Sequence, residues 1–530
     1  MLDLSATAPA QRWLVPLFFG LMLLLGLRLY PDYAVSIDEN QSRDNGMITL
    51  KHVAEKVAPA WVAADPDFAR YTVPLADYYD RDYGVAFETP VCLAERLLGL
   101  QDTGDKFRFR HLCTFLVCFT GLLAVYQLAR RRFADWRLGL LAALWLLLSP
   151  RLFADFFYND KDAVFMALFA VATNAGVGFI ERPTAGRAAW YALLCALTID
   201  VRIMGILLPA ATAGMLGWRV LRGEVGLRPA LATGALYLAL LAGFVVLFWP
   251  YLWPAPLANF GAALQKMSTF RWGGVVLYNG NFVAATDLPW HYAPVWIAIT
   301  TPLLYLAAGV LGLVLVLGQA ARQRWRLWAD AAGRQDVFFT LLFGGPLLAV
   351  IVLHSVLYDG WRQLYFVYPA FLLLALRGWV AVLRWQPARR WWRPAVLGLT
   401  GLSAAATAGQ IVAAHPLQNV YFNLLAGAHV AQRFELDYWG LGYVQDLAYI
   451  VAHDDRPVVT VFAPPPSPAE FNTCLLPEYQ RGHLRFVEKP DSADYFITNY
   501  RWHPEDYPYP NEVYQLRADG RRVHSVFRLR

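Results

Sequence analysis

The sequence predicts a polytopic α-helical membrane protein with about 11 spans, interfacial helices in the first outer loop and a small C-terminal α/β extracytoplasmic domain. Three observations predict it. Only 16% of the 530 residues are charged and 57% are hydrophobic, whereas soluble domains carry about 25% charged residues. Apolar runs long enough to enter a bilayer recur from end to end. The connections between them alternate in kind, one set rich in Arg and the other in acids, aromatics and Pro.

The spans read as residues 13–30, 109–129, 138–150, 162–180, 188–200, 203–218, 229–249, 294–318, 337–356, 364–383 and 394–413. The N-terminal "MLDLSATAPAQRW" has no basic region and no small-residue cleavage site follows the first apolar run, so that run reads as a retained span. "LLCALTIDVRIMGILLP" is read as two helices meeting at Arg202. With that split, "ARRRFADWR", "ERPTAGR", "WRVLRGEVGLR", "ARQRWRLWADAAGRQ" and "RWQPARRWWR" share one face, which the positive-inside rule makes cytoplasmic. The N-terminus is then inside, and the loops after spans 1 and 7 and the tail are outside. The net charge of +6 is mostly this topology signal, and no nucleic-acid partner is expected. The cysteines Cys92, Cys113, Cys118, Cys195 and Cys474 show neither metal-ligand spacing nor a disulfide framework.

Residues 1–414 form the expected transmembrane domain and 415–530 the soluble α/β domain. In the first outer loop, Met47, Leu50, Val53, Val57 and Trp61 repeat at helical spacing, with Asp44 as the expected cap. "TPVCLAERLLGL" starts a second helix, with Thr89 as cap and Pro90 in the first helical position. Both suit helices lying on the membrane surface. In the tail, "RPVVTVFA", "LRFVEK" and "ADYFITNY" read as strands and "SPAEFNTCLLPEYQ" as a helix. "EVYQLRADGRRVHSVFRLR" reads as a hairpin turning at Asp519-Gly520.

Polar residues near membrane depth are costly and mark function. "SIDEN" carries Asp38 and Glu39 directly after span 1. "SPRLFADFFYNDKD" carries Arg151, Asp155, Asn159, Lys161 and Asp162. Arg202 stands between two apolar segments with Asp200 beside it, as a local ion pair or a site residue. "YNGNFVAATDLPWHYAP" adds His291, and "LYDGWRQLYF" adds Tyr358, Asp359 and Arg362. All are expected on the outer face. Carboxylates there suit an acceptor hydroxyl that needs a base, and Arg or Lys suits an anionic leaving group. Arg binds phosphate through paired N–H donors.

These motifs, in this order, resemble the glycosyltransferase C superfamily over roughly residues 12–440. Within it the chain looks most like bacterial relatives of the dolichyl-phosphate-mannose protein mannosyltransferases and the lipid A aminoarabinose transferase. The resemblance implies an integral-membrane inverting glycosyltransferase, with a polyprenyl-phosphate-linked sugar as donor. The acceptor is a protein, lipid or glycan hydroxyl, reached outside the cytoplasm. The first-loop acid of the family maps onto Asp38, with Glu39 adjacent, and both are the expected catalytic residues. A second acidic position maps loosely onto Asp82, in "RDYGVAFETP" beside Tyr83. The phosphate-binding cations fall on Lys161, Arg202 or Arg362. Asp82, Tyr83, Asn159, Lys161, Asp162, Arg202, His291, Tyr358 and Arg362 are the expected substrate-binding residues. Asn40-Gln41 stand where the mannosyltransferases carry a histidine, which leaves sugar and acceptor open. No cofactor is required, although Asp38, Glu39 and Asp82 could hold a divalent metal, whose hard charge suits carboxylate oxygens. A bacterial inner membrane is the expected location, since "NQS" at 40–42 would be glycosylated in an endoplasmic reticulum lumen. The alternatives are a transporter or flippase of a lipid-linked sugar and an assembly scaffold. The lack of an internal repeat disfavours the first, and the charged loops disfavour the second.

Overall fold

The structure is a computed structural model describing residues 8–268, 272–323, 330–385 and 390–530. Among the described residues, nine helices are long and apolar enough to cross a membrane, or up to ten if one bent pair counts as a span. All eleven expected spans fall on helical segments. Three differ in form. The third is a pair, Trp136–Leu147 and Pro150–Tyr158, bent by 74°. The bend falls at Leu148-Ser149, where Pro150 opens the second helix without needing an N–H partner. The fifth, Ala185–Val201, has 17 residues, short of the roughly 20 that a straight crossing takes. The eighth divides into Tyr292–Thr300 and Leu303–Arg322 at Thr301-Pro302.

Close helix approach depends on small residues. A Cβ on Gly312 would lie 1.8 Å from Leu374 O, and one on Gly378 would lie 2.1 Å from Ala308 O. These two glycines let the Leu303–Arg322 and Tyr368–Arg384 helices pack backbone to backbone.

The chain breaks at Arg202, whose backbone is extended (φ −147°, ψ 126°) between Ala185–Val201 and a short 3-10 turn leading into Leu207–Leu221. The helix ends that this break reverses meet at one pole of the bundle. There Arg334 donates to Glu181 at 2.8 and 2.9 Å and to Glu224 at 3.1 Å. Arg219 donates to the backbone oxygens of Ile180 and Glu181. Arg132 donates to Asp336 at 2.5 and 2.6 Å. The remaining basic connections, at 324–329 and 386–389, and the N-terminal residues 1–7 lie outside the described residues.

In the loop after the first span the helix runs Glu39–Val57, earlier than its apolar repeat suggests. Asp44 is therefore inside the helix, not its cap, and accepts from the Tyr71 hydroxyl at 3.2 Å. Trp61, expected on the same helix, lies on a separate short one, Pro59–Ala64. The later helix Glu88–Leu97 takes Phe87 as its N-cap, so Thr89 lies in the first turn.

After a small hairpin of β1 (Val275–Tyr278) and β2 (Asn281–Ala284), the other strands lie in the tail. They are β3 (Val459–Phe462), β4 (Leu484–Phe486), β5 (Tyr495–Thr498), β6 (Glu512–Ala518) and β7 (Arg521–Arg528). Their order is β4-β3-β5-β7-β6. β3 is parallel to β4 and β5, while β7 is antiparallel to β5 and β6. The hairpin turns at Asp519-Gly520, both with positive φ, as a tight two-residue turn demands. The expected helix at 467–480 is instead a 3-10 turn, Phe471–Leu475, and a short helix, Glu478–Arg481, divided by Pro477.

This sheet domain is fastened to the loop after the first span. Val35 N donates to Asn472 Oδ1 and Asn472 Nδ2 donates to Val35 O, both at 2.9 Å. Ile37 N donates to Trp439 O at 3.1 Å. The domain is clamped internally by His524, fully buried between Asp446 (2.7 Å) and Asp437 (3.0 Å). Burial alone would lower the imidazole pKa, but Asp446 and Asp437 outweigh it and hold it up at about 9. The folded value thus exceeds the unfolded value of about 6.5. The charged clamp stabilises fully below the unfolded pKa and is lost as pH rises through the folded one. His524→Gln should destabilise by about 3 kcal/mol at roughly neutral pH, because two buried carboxylates lose their cation. Thermal melts of both proteins toward about pH 10 should then converge.

Candidate active site

The site begins with the turn that follows the first span. Ser36 N donates to Glu39 Oε2 at 2.6 Å, and Glu39 Oε1 lies 2.8 Å from His111 Nε2. Glu39 thus faces the interior, 1% exposed, and braces the turn. Its neighbour Asp38 faces the other way, with its side chain 36% exposed.

Asp38 Oδ2 accepts from Arg362 Nη1 at 2.9 Å. The same nitrogen donates to Asp162 Oδ2 at 3.1 Å, and Arg362 Nη2 donates to Asp359 Oδ2 at 3.2 Å. Arg362 is 2% exposed and lies over the rings of Tyr358 (4.7 Å) and Trp439 (4.5 Å). A buried charge needs such company. Asp359 and Gly360 both have positive φ, and this tight turn carries the chain back so that Asp359 and Arg362 meet.

Asp162 opens the Asp162–Glu181 helix, where a negative charge is favoured. Its N–H donates to Asn159 Oδ1 at 2.7 Å. Its other carboxylate oxygen accepts from Arg202 Nη2. Arg202 thus pairs across the site and not with Asp200, which accepts from Val85 N at 2.8 Å. Lys161 stands over the Tyr83 ring at 4.3 Å. Beneath it, buried Arg110 joins Glu88, Glu95 and Asp160. Burial first, then Glu88, pushes the Asp160 carboxyl up.

For Asp38, burial would raise the pKa, but Arg362 first and then Lys161 and Arg501 outweigh it and hold the carboxyl below the usual range. Buried N–H donors are normally satisfied, yet Asn159 Nδ2, Arg202 Nε and Arg362 Nε have no acceptor among the described residues. Donors of this kind suit an anion with several oxygens.

The remaining sequence-predicted residues lie as follows. Asp82, Tyr83 and Arg202 line a cavity of about 100 Å³ with Trp249 and Lys266, and Lys266 donates to Asp82 at 2.7 Å. Tyr358 stacks on Trp272 at 4.5 Å. His291 lies 2.6 Å from the Tyr278 hydroxyl and makes no hydrogen bond to the Arg362 cluster among the described residues. Asp38, Glu39 and Asp82 do not fit a shared metal. Their carboxylates are turned to Arg362, to His111 and to Lys266. Among the described residues, no group of three or more His, Cys, Asp or Glu is arranged to hold one.

Sequence reasoning missed Arg501 and Trp439. Arg501 Nη2 donates to Asp359 Oδ1 at 2.9 Å, and its Nη1 donates to Tyr438 O at 2.7 Å. Both come from beyond the bundle. Trp439 lies in "ELDYWGLGY", a stretch that shares the family resemblance but suggests no chemistry by itself, and Arg501 gives no local signal.

No family model matches the sequence, and no curated protein matches it significantly. Among solved structures, the apo oligosaccharyltransferase of Archaeoglobus fulgidus is similar to 92% of this chain, with a TM-score of 0.51 at 9% identity. The chain spans 66% of the length of that protein. The likeness is one of fold: this chain folds like the archaeal oligosaccharyltransferase over most of its length. A second structure, that archaeal enzyme in complex with an inhibitory peptide and a dolichol-phosphate, covers 92% of this chain and 70% of its own, with a TM-score of 0.48 at 10% identity.

The loop carrying Asp82 and Tyr83 reaches Arg202 because Gly84 lies against the end of the Ala185–Val201 helix. A Cβ there would fall 1.2 Å from Asp200 O. Gly84→Ala should therefore cost about 1–3 kcal/mol through overpacking, read as a lower melting temperature. Gly20→Ala, with nothing within 4 Å of its Cβ, should be near neutral in the same assay.

Proposed function

We propose that the chain is an integral-membrane inverting glycosyltransferase that moves a sugar from a polyprenyl-phosphate donor to an acceptor hydroxyl. The reaction takes place at the outer face of a bacterial inner membrane. The carrying observation is the placement of Asp38. It is the exposed carboxylate of a cluster in which Asp162, Asp359, Arg202 and Arg362 are otherwise mutually engaged.

In this reading Asp38 removes the proton from the acceptor hydroxyl as its oxygen attacks the anomeric carbon. The lipid phosphate departs from the opposite face of the sugar, so the anomeric centre inverts in one displacement, as in inverting hydrolases. The half-buried Arg202 and Lys161 receive the phosphate, and Arg362 adds its field from below. The donor also tunes the base. At rest Arg362 depresses the Asp38 pKa. A phosphate sharing that guanidinium neutralises part of its charge, and Asp38 becomes more basic as the donor binds. Tyr83, Tyr358 and Asn159 border the sugar in this reading.

The test is a panel of polyprenyl-phosphate sugars incubated with purified protein and acceptor, with release of free polyprenyl phosphate as the readout. Asp38→Asn should cut turnover by about 10²–10⁴-fold with donor binding intact, the usual worth of a general base. Arg202→Ala should instead weaken donor binding by about tenfold or more, as loss of a charged hydrogen bond does. Full transfer by Asp38→Asn overturns the assignment, and lipid movement across liposomes without sugar release overturns the reaction class.

A further inference from the structure

Arg501 belongs to the C-terminal sheet domain, yet its guanidinium ends inside the ion cluster of the membrane bundle. It holds the oxygen of Asp359 that Arg362 leaves free, so one carboxylate joins two guanidiniums. From the tail to the loop after the first span the order is Arg501, Asp359, Arg362, Asp38, with alternating charge and contacts of 2.9, 3.2 and 2.9 Å.

The loop presenting Arg501 is strained. Tyr500 and Trp502, on either side of it, both have left-handed backbones, at φ 58° and 59°, an uncommon state for aromatic residues. Side chains hold them there. Tyr500 N donates to Thr498 Oγ1 at 3.0 Å, and Arg501 N donates to Asn499 Oδ1 at 3.2 Å. Asn499 Nδ2 in turn donates to Asp437 O at 2.9 Å. Strain of this kind persists where surrounding structure over-determines it, and it concentrates at functional sites.

We propose that Arg501 is a positioning residue of the active site. Delivered by the sheet domain, it fixes Asp359, and through Asp359 and Arg362 it sets the placement of Asp38. This rests on the transferase reading above, and it makes the soluble domain part of the catalytic unit.

Asp359 is 1% exposed, so its charge depends on its neighbours. Burial raises its pKa, and Arg501 and then Arg362 oppose that. Asp38 from the first loop, Glu435 and Tyr438 from the connection before the tail and Tyr292 from its helix also face it. Without Arg501, Asp359 has one guanidinium, which two further carboxylates share. It then protonates more readily and loosens its hold on Arg362. The deficit should therefore be largest on the acid side.

The test uses full-length purified protein and the polyprenyl-phosphate sugar that supports wild-type release. Arg501→Ala should lower kcat about tenfold or more on the acid side of neutrality, and the acid limb of kcat should move up by about one pH unit, the scale of one lost neighbouring charge. KM for the donor should change by less than about threefold, because Arg501 does not touch the donor in this reading. Arg501→Lys, which keeps the charge, should restore the limb. Residues acting in one network are not additive, so Arg501→Ala with Asp359→Asn should be no worse than Asp359→Asn alone. A wild-type kcat and acid limb in Arg501→Ala, or multiplicative losses in the double variant, overturns the proposal. Hydrogen exchange separates failure of the inference from failure of the reaction class. If wild-type protein releases no polyprenyl phosphate from any donor, the transferase reading fails. Unchanged protection of residues 357–362 in Arg501→Ala then overturns the coupling as well, while raised exchange confined to that segment upholds it.

Discussion

One buried guanidinium organises the working end of this molecule. Arg362 is surrounded by Asp38, Asp162 and Asp359, which reach it from the loop after the first span, from the start of a bundle helix and from its own tight turn. An arginine this deep is stable only when its N–H groups find acceptors. Each carboxylate gains by bringing its segment to the same point. The loop after the first span, the broken span at Arg202 and the turn at Asp359-Gly360 are therefore held in register by the requirement to pair one charge.

That requirement also explains why adjacent acids behave oppositely. Asp38 and Glu39 are consecutive, but the helix starts at Glu39. Glu39 turns back to the Ser36 N–H and to His111, while Asp38, one residue earlier, points to Arg362. A brace and an exposed carboxylate thus come from two residues of the same chemistry.

Much of this was legible because membrane depth makes charge conspicuous. Asp38, Asp162, Arg202 and Arg362 stand in short connections between apolar runs, and the structure brings all four together. The expected break at Arg202 followed from the Arg-rich connections, and helix ends do meet at a basic pole. The start of the first surface helix was not legible. Its first turns bury Ser42 and Asn45, with Asn45 accepting from Tyr78 at 2.6 Å, so the apolar repeat begins only at Met47. The sequence left Arg202 open between pairing with its neighbour Asp200 and serving the site, and the structure pairs it with Asp162. For Asp200, a carboxylate at a helix end, a nearby backbone N–H was the better partner. The roles of Arg501 and Trp439 could not be read, since they depend on how a distant sheet docks.

The docking has a temporal consequence. The turn bearing Asp38 is made well before Trp439, Asn472 and Arg501, which grip that turn or the cluster around it. At about 5–20 residues per second, roughly 20 seconds or more separates them. Throughout that interval the nascent bundle holds its carboxylates and arginines without their final alignment. The cluster around Asp38 thus takes its final form only after Arg501 has been made and the sheet has docked.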